Sequence, residues 1–182
     1  MTTIPPEQFY DALSEQYDAM TDFDARVVRE TETLRPLVEK YSMKTAVDMG
    51  CGSGVHVLAL ASLGVQATGV DLSERMLEQA RAHAATLPGT AFFPGDFLSS
   101  FPPELLAVDA ILCLGNSLPH IDSAGRLLAV FSHWKRHLVP GGKIVVQLLN
   151  YARIMRQRER IVGIRRDGAT AFVRFYDLVF LI

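Results

Sequence analysis

The stretch Thr45-Ala46-Val47-Asp48-Met49-Gly50-Cys51-Gly52-Ser53-Gly54 constrains this chain more than any other. Five residues of strand character run into glycines at alternate positions, and Val55 to Leu63 then reads as a helix closed by Gly64. Alternate glycines let a backbone approach a ligand with no Cβ in the way, and the helix start that follows favours an anion. Such a strand–turn–helix is the opening unit of an α/β fold on a parallel sheet.

The same alternation continues downstream. Val65 to Asp71 reads as a second strand; Ser73 caps a helix through about Thr86, and Leu87-Pro88-Gly89 stops it. Thr90 to Phe93 and Val108 to Leu114 make the third and fourth strands. Asp122 or Ser123 opens a helix to about Leu138, Val139-Pro140-Gly141-Gly142 turns the chain, and Lys143 to Leu149 is the fifth strand. Upstream, Phe9, Leu13, Tyr17 and Met20 form the apolar face of a helix from Pro5 to Met20. A second helix, capped by Thr21 or Asp22, carries Val27, Leu34, Leu37, Val38 and Tyr41, with a kink expected at Pro36. Arg160 to Arg165 and Thr170 to Asp177 flank the hairpin turn Arg166-Asp167-Gly168. The expectation is one domain over 1–182: helices in 1–42 over a cofactor site, a doubly wound, mostly parallel Rossmann-like core in 43–150, and an antiparallel hairpin in 151–182.

Composition narrows the partners. A chain of 182 residues, 49% hydrophobic and 21% charged, suits a single globular core. No apolar run approaches the roughly 20 residues that span a bilayer, and the first residues lack the basic and apolar regions of a secretion signal, so a cytoplasmic, membrane-free protein is expected. A net charge of −2 offers no general attraction for nucleic acid, which gives weight to small-molecule substrates. Cys51 and Cys113 read as free thiols, and neither has a neighbour at metal-ligand spacing.

The glycine turn also discriminates between cofactors. A dinucleotide fingerprint needs Gly-x-Gly-x-x-Gly, but counted from Gly50 its last position is Val55, and counted from Gly52 it is Val57. Asp71, at the end of the second strand, is placed to accept hydrogen bonds from both hydroxyls of an adenosine ribose. S-adenosylmethionine has no pyrophosphate, so a shorter glycine pattern suffices, and its carboxylate can sit at the helix start.

Val47-Asp48-Met49-Gly50-Cys51-Gly52-Ser53-Gly54, Gly69-Val70-Asp71-Leu72-Ser73-Glu74-Arg75-Met76-Leu77 and Leu138-Val139-Pro140-Gly141-Gly142 resemble three motifs of the class I S-adenosylmethionine-dependent methyltransferases, and the resemblance runs from Phe9 to about Asn150. It implies that Gly50 lies against the methionine part of the cofactor, with Asp48, Cys51, Gly52 and Gly54 forming the turn. By the same resemblance Asp96 of Gly95-Asp96-Phe97 accepts from the adenine amino group, the Phe97 backbone meets the ring, and Leu72 and Met76 pack on its faces. Leu114 completes this set. Within the class, Cys113-Leu114-Gly115-Asn116-Ser117 and His120 look most like the glycine N-methyltransferase subset, where Arg26 would match an arginine for the cofactor carboxylate.

His120, Asn116 and Tyr17 are the candidate catalytic side chains: His120 as a proton acceptor, Asn116 as a polar contact for the acceptor, and Tyr17 as core or pocket. Methyl transfer is an in-line displacement in which alignment supplies on the order of 7–11 kcal/mol, so a dedicated base is not required. The subset's acceptor-gripping arginine falls where this chain has Leu149, which argues against glycine itself as the acceptor. The Arg153, Arg156, Arg158, Arg160, Arg165 and Arg166 cluster, interrupted by Glu159 and Asp167, reads as solvated surface. A cofactor-binding module without catalysis is the alternative function, and a nicotinamide oxidoreductase a more distant one. The resemblance also implies a further helix and two strands after the hairpin, so the C-terminal part of the family fold is expected to be missing and the sheet edge to invite self-association.

Overall fold

The computed structural model describes residues 6–98, 107–158, 161–168 and 170–175. Two helices lead, α1 (Pro6–Thr21) and α2 (Phe23–Tyr41). The core follows as β1 (Thr45–Met49), α3 (Val55–Ser62), β2 (Gln66–Asp71), α4 (Glu74–His83), β3 (Thr90–Pro94), β4 (Val108–Cys113), α5 (Ala124–Lys135) and β5 (Leu138–Val146). α6 (Tyr151–Gln157) and the hairpin β6 (Ile161–Asp167) and β7 (Thr170–Phe175) come last.

The five core strands are parallel in the order β3-β2-β1-β4-β5, so the winding reverses between β1 and β4. In an open α/β sheet that switch point is where a crevice opens at the carboxyl ends of the strands. Both faces of the sheet are covered, as alternate residues show. Ala110 and Leu112 of β4 pack with Leu34, Val57, Leu60 and Leu77 from α2, α3 and α4, whereas Ile111 and Cys113 face Val130 and Trp134 of α5. Trp134 is fully buried, and its Nε1 donates to the Phe97 carbonyl at 2.9 Å, tying α5 to the loop after β3.

Side-chain caps start α4, α5 and α6: Ser73, Ser123 and Asn150 accept the amides of Met76, Arg126 and Arg153. Asp22 precedes α2 in a left-handed conformation and caps nothing with its side chain; its carboxylate lies 3.0 Å from Arg165 of β6 instead. α2 continues through Pro36 as a single helix.

β5 departs from the expected span. It begins at Leu138, which pairs with Val108, and Val139-Pro140-Gly141-Gly142 are taken up as an irregularity within the strand before Lys143 pairs with Ala110. It ends at Val146, and the Leu149 amide donates to the Asn116 side chain at 3.1 Å rather than to a strand. α6 occupies part of the arginine-rich segment, anchored by the buried Ile154. The hairpin forms its own two-stranded sheet and does not extend β5; parts of its expected flanks, including Arg160 and Tyr176-Asp177, lie outside the described residues.

Candidate functional site

A cavity of about 350 Å³ opens at the carboxyl ends of β1, β2 and β4, beneath α1 and α2. Its floor is the glycine turn, pinned to the sheet because Gly50 and Cys51 donate their amides to the Val70 carbonyl at 2.7 and 3.1 Å. The three glycines do different work. A Cβ on Gly50 would meet Ser117 Cβ at 2.8 Å, and one on Gly54 would meet Ala80 and Phe92 at 3.1 and 3.3 Å, so both permit close packing. A Cβ on Gly52, where φ is +55°, would meet no atom within 4 Å beyond its chain neighbours, and this is the glycine that leaves room for a ligand.

Asp71 faces the cavity with its carboxylate already oriented, Oδ2 accepting the Gly52 amide at 2.8 Å and Oδ1 the Ser73 amide at 3.0 Å. Burial raises its pKa against the opposing effect of those amides. Leu72, half-exposed, and the buried Met76 form an apolar wall. Opposite stand Asp96 and Phe97. Asp96 accepts the Leu98 amide at 2.8 Å, the local bond of a turn acid, and Phe97 is held edge-to-face against Trp134. Cys51 and Leu114 also line the space, and burial, helped by Asp71 and Asp48, keeps the Cys51 thiol protonated.

At the mouth, Tyr10 of α1, flanked by Tyr17, meets His120 from the 3₁₀ turn Leu118–His120. The Tyr10 hydroxyl lies 3.4 Å from His120 Nε2, and the two tyrosine rings meet edge-to-face. Burial, with Tyr17, Asp71 and Tyr151 nearby, pushes the Tyr10 phenol up to about 12, so its hydroxyl keeps its proton and serves in hydrogen bonds. Arg26 reaches the cavity from α2.

Three expected site residues stand outside the cavity lining. Asp48 is fully buried behind the turn; Gly54 caps α3. Asn116, with φ +74°, donates to the Tyr151 hydroxyl at 2.6 Å and accepts from the Leu149 amide, so it braces the loop after β4 against the start of α6. Tyr10, His56 and Arg126 line the cavity without having been expected there, and Ser117 lines it from the loop after β4. Tyr10 was readable, because it precedes Tyr17 by two helical turns and so shares its face. The Ser117 contact with the Gly50 carbonyl at 3.4 Å was not, since it joins loops 67 residues apart. Among the described residues no group of three side chains could hold a metal ion, and no helix is long and apolar enough to cross a membrane.

Comparison with known proteins agrees with this architecture. A methyltransferase domain family matches residues 46–142. A dTDP-3-amino-3,6-dideoxy-alpha-D-glucopyranose N,N-dimethyltransferase of Streptomyces fradiae is 28% identical over 149 residues, covering 80% of this chain and 56% of that protein. A trans-aconitate 2-methyltransferase of Deinococcus radiodurans is 34% identical over 136 residues, 74% of this chain and 48% of that one. The chain spans about half the length of the curated relatives it matches. The solved structure of an S-adenosylmethionine-dependent methyltransferase from Clostridium acetobutylicum shares the fold, with a TM-score of 0.70 and 19% identity over 92% of this chain and 70% of that one. These relatives do not single out the glycine N-methyltransferase-like subset. A family match over more than half of the chain, on a sheet whose switch point carries the cavity, shows that the protein belongs to the class I S-adenosylmethionine-dependent methyltransferases.

Proposed function

We propose that this protein transfers a methyl group from S-adenosylmethionine to a small-molecule acceptor, with an amine as the first class to test. The observation that carries the reading is the pairing of an open Gly52 with a pre-oriented Asp71 on one cavity wall. The residues fit the cofactor: Asp71 for the ribose hydroxyls, Leu72, Met76 and Phe97 for the adenine, and the turn for the amino-acid part. When bound, the cofactor supplies an electrophilic methyl group on a sulfonium.

The chain's own contribution is alignment and exclusion of water. α1 lays Tyr10 and Tyr17 across the mouth, and the loop after β4 brings His120 to meet Tyr10. An ammonium acceptor must lose a proton before its nitrogen can attack, and the His120 imidazole can take that proton at Nε2 once the Tyr10 hydroxyl, 3.4 Å away, turns to accept from the imidazolium and not to donate to it. Support for an amine comes from the Streptomyces fradiae relative, whose name specifies an amino sugar N,N-dimethyltransferase, and the trans-aconitate relative makes a carboxylate the second class.

The test is incubation with methyl-labelled cofactor and metabolite extracts, followed by mass spectrometry, beside calorimetry with S-adenosylhomocysteine and NADPH. Label in an acceptor, with binding of S-adenosylhomocysteine and not of NADPH, is the expected result. Binding without label in any acceptor would select the non-catalytic module.

A further inference from the structure

The loop after β4 turns on two successive left-handed residues, Gly115 at φ +72° and Asn116 at φ +74°. Glycine takes that conformation freely, and asparagine is one of the few others that tolerate it. The turn is held from outside itself. Gly115 donates its amide to Gln147 Oε1 at 3.3 Å, and Asn116 Oδ1 accepts the Leu149 amide at 3.1 Å. A backbone N–H can only donate, so the Leu149 bond fixes which way the Asn116 side chain faces. Its NH2 group is thereby turned to Tyr151, whose hydroxyl oxygen accepts it at 2.6 Å. Beyond Asn116 the loop drops Leu118 into the core and enters the turn that carries His120.

Tyr151 also faces the other lip of the mouth. Burial is the main cause that raises the Tyr10 phenol, but the charge of Tyr151 is among the others, so the two side chains stand near one another. Tyr10 in turn meets the His120 ring edge-to-face, with centroids 5.9 Å apart. Three segments therefore frame the acceptor side: α1, the loop after β4 and the start of α6. Gln147, Leu149 and Tyr151 lie past residues 46–142, the part that matches the methyltransferase family, so the family match does not supply this frame. Asn116 stands outside the cavity lining and directs both ends of its amide at this segment.

We propose that Tyr151 is a positioning residue for methyl transfer: acting through Asn116, it holds the loop after β4 so that His120 stays against Tyr10 at the mouth. The inference rests on the acceptor-side role given to His120 above. It makes the segment after β5 a working part of the site although no residue of that segment lines the cavity.

Two substitutions in the full chain cut the brace from opposite ends. Tyr151→Phe removes the oxygen to which Asn116 donates, and Asn116→Gly removes the amide while suiting the left-handed backbone. Asn116→Asp is the conservative control, since a carboxylate can accept both the Leu149 amide and the Tyr151 hydroxyl. In NMR spectra, with His120→Gln identifying the signal, the His120 ring resonances should shift in the two cut variants and stay in place in Asn116→Asp. Backbone amides from 115 to 120 should exchange roughly 3–10-fold faster in Tyr151→Phe, the effect of one hydrogen bond of ordinary strength. Methyl transfer from labelled cofactor into metabolite extract should fall by a similar factor, while affinity for S-adenosylhomocysteine stays within about threefold, because the glycine turn and Asp71 are untouched. Tyr151→Phe should add nothing in the Asn116→Gly background, since one interaction is lost only once. Unchanged His120 resonances, or transfer at the full rate, in the two cut variants would overturn the proposal and leave Leu118 as the anchor of the loop. So would an Asn116→Asp variant that behaves like Asn116→Gly. An unaltered chain that binds no S-adenosylhomocysteine, or labels no acceptor, would instead overturn the function proposed above, and this role with it.

Discussion

The Asp71 carboxylate accepts two backbone amides, at 2.8 and 3.0 Å, before any ligand arrives, so its remaining lone pairs are aimed without further loss of side-chain freedom. Asp71→Ala should weaken S-adenosylhomocysteine by roughly 2–4 kcal/mol, the loss of two charge-assisted hydrogen bonds partly replaced by water. Burial raises the Asp71 pKa, and the ligand needs the charged form, so affinity should fall on acidification from a higher pH than an ordinary aspartate would give. Calorimetry across pH checks both, and unchanged affinity in Asp71→Ala would sink the ribose assignment. Gly52→Val should abolish binding and leave a folded protein, since a Cβ there would meet no atom within 4 Å beyond its chain neighbours; the left-handed backbone there adds strain of about 1–2 kcal/mol. Circular dichroism and calorimetry together would show it, and normal binding would mean that the turn is not the site. Both residues were legible because a motif spaced along one strand and turn is local. The surroundings of Asn116 were not legible for the opposite reason: its side chain bonds Leu149 and Tyr151, more than 30 residues on, and no local pattern announces that.

Helix α1 is fastened to the core by polar contacts of large sequence separation. Asp18 accepts from the Ser53 hydroxyl at 2.6 Å and lies 2.7 Å from His83 Nε2, Asp11 accepts from the Ser73 hydroxyl, and Gln79 donates to the Ser14 carbonyl at 2.7 Å. Phe23 stacks on the His83 ring with centroids 3.8 Å apart. Because Ser53 belongs to the glycine turn, the helix that carries Tyr10 and Tyr17 is registered against the cofactor floor. Asp18→Ala should release α1 locally, at a cost of roughly 1–3 kcal/mol for the lost charged hydrogen bonds. Proteolysis within α1 should quicken and S-adenosylhomocysteine binding weaken severalfold, while fluorescence of the single tryptophan, Trp134, reports an unchanged core. Protection of α1 equal to that of the unaltered chain would show that apolar packing alone holds it. Apolar periodicity in α1 was enough to read a helix but not the face that docks, which Asp11 and Asp18 set. At β5 the Pro140-Gly141-Gly142 run reads as a turn, yet pairing of Leu138 with Val108 draws the residues before it into the strand.

A parallel sheet with helices on both faces hides its flat surfaces but still has two edges, and here they are β3 and β5. Among the described residues β5 pairs with β4 alone, and the chain that leaves it exposes Leu148 at 50%, Leu149 at 39% and Met155 at 43%. The hairpin does not cover that edge. It contacts α1, is held to the start of α2 by Arg165 and Asp22, and leaves Ile161, Ile164 and Val173 exposed in turn. Unpaired strand groups beside apolar side chains form a template for a second chain, and we expect the 182-residue protein to self-associate through this region. Sedimentation velocity over a concentration series should show a species larger than the monomer at roughly tens of micromolar, within the affinity range of modest interfaces. The double variant Leu148→Lys with Met155→Lys should move the distribution toward monomer, because a charge on each apolar position opposes burial there. Binding of S-adenosylhomocysteine by the variant should persist, since neither residue lines the cavity, and this separates loss of association from loss of fold. A monomer at every concentration, unfolding in one cooperative step, would show that the five-strand sheet tolerates its open edge.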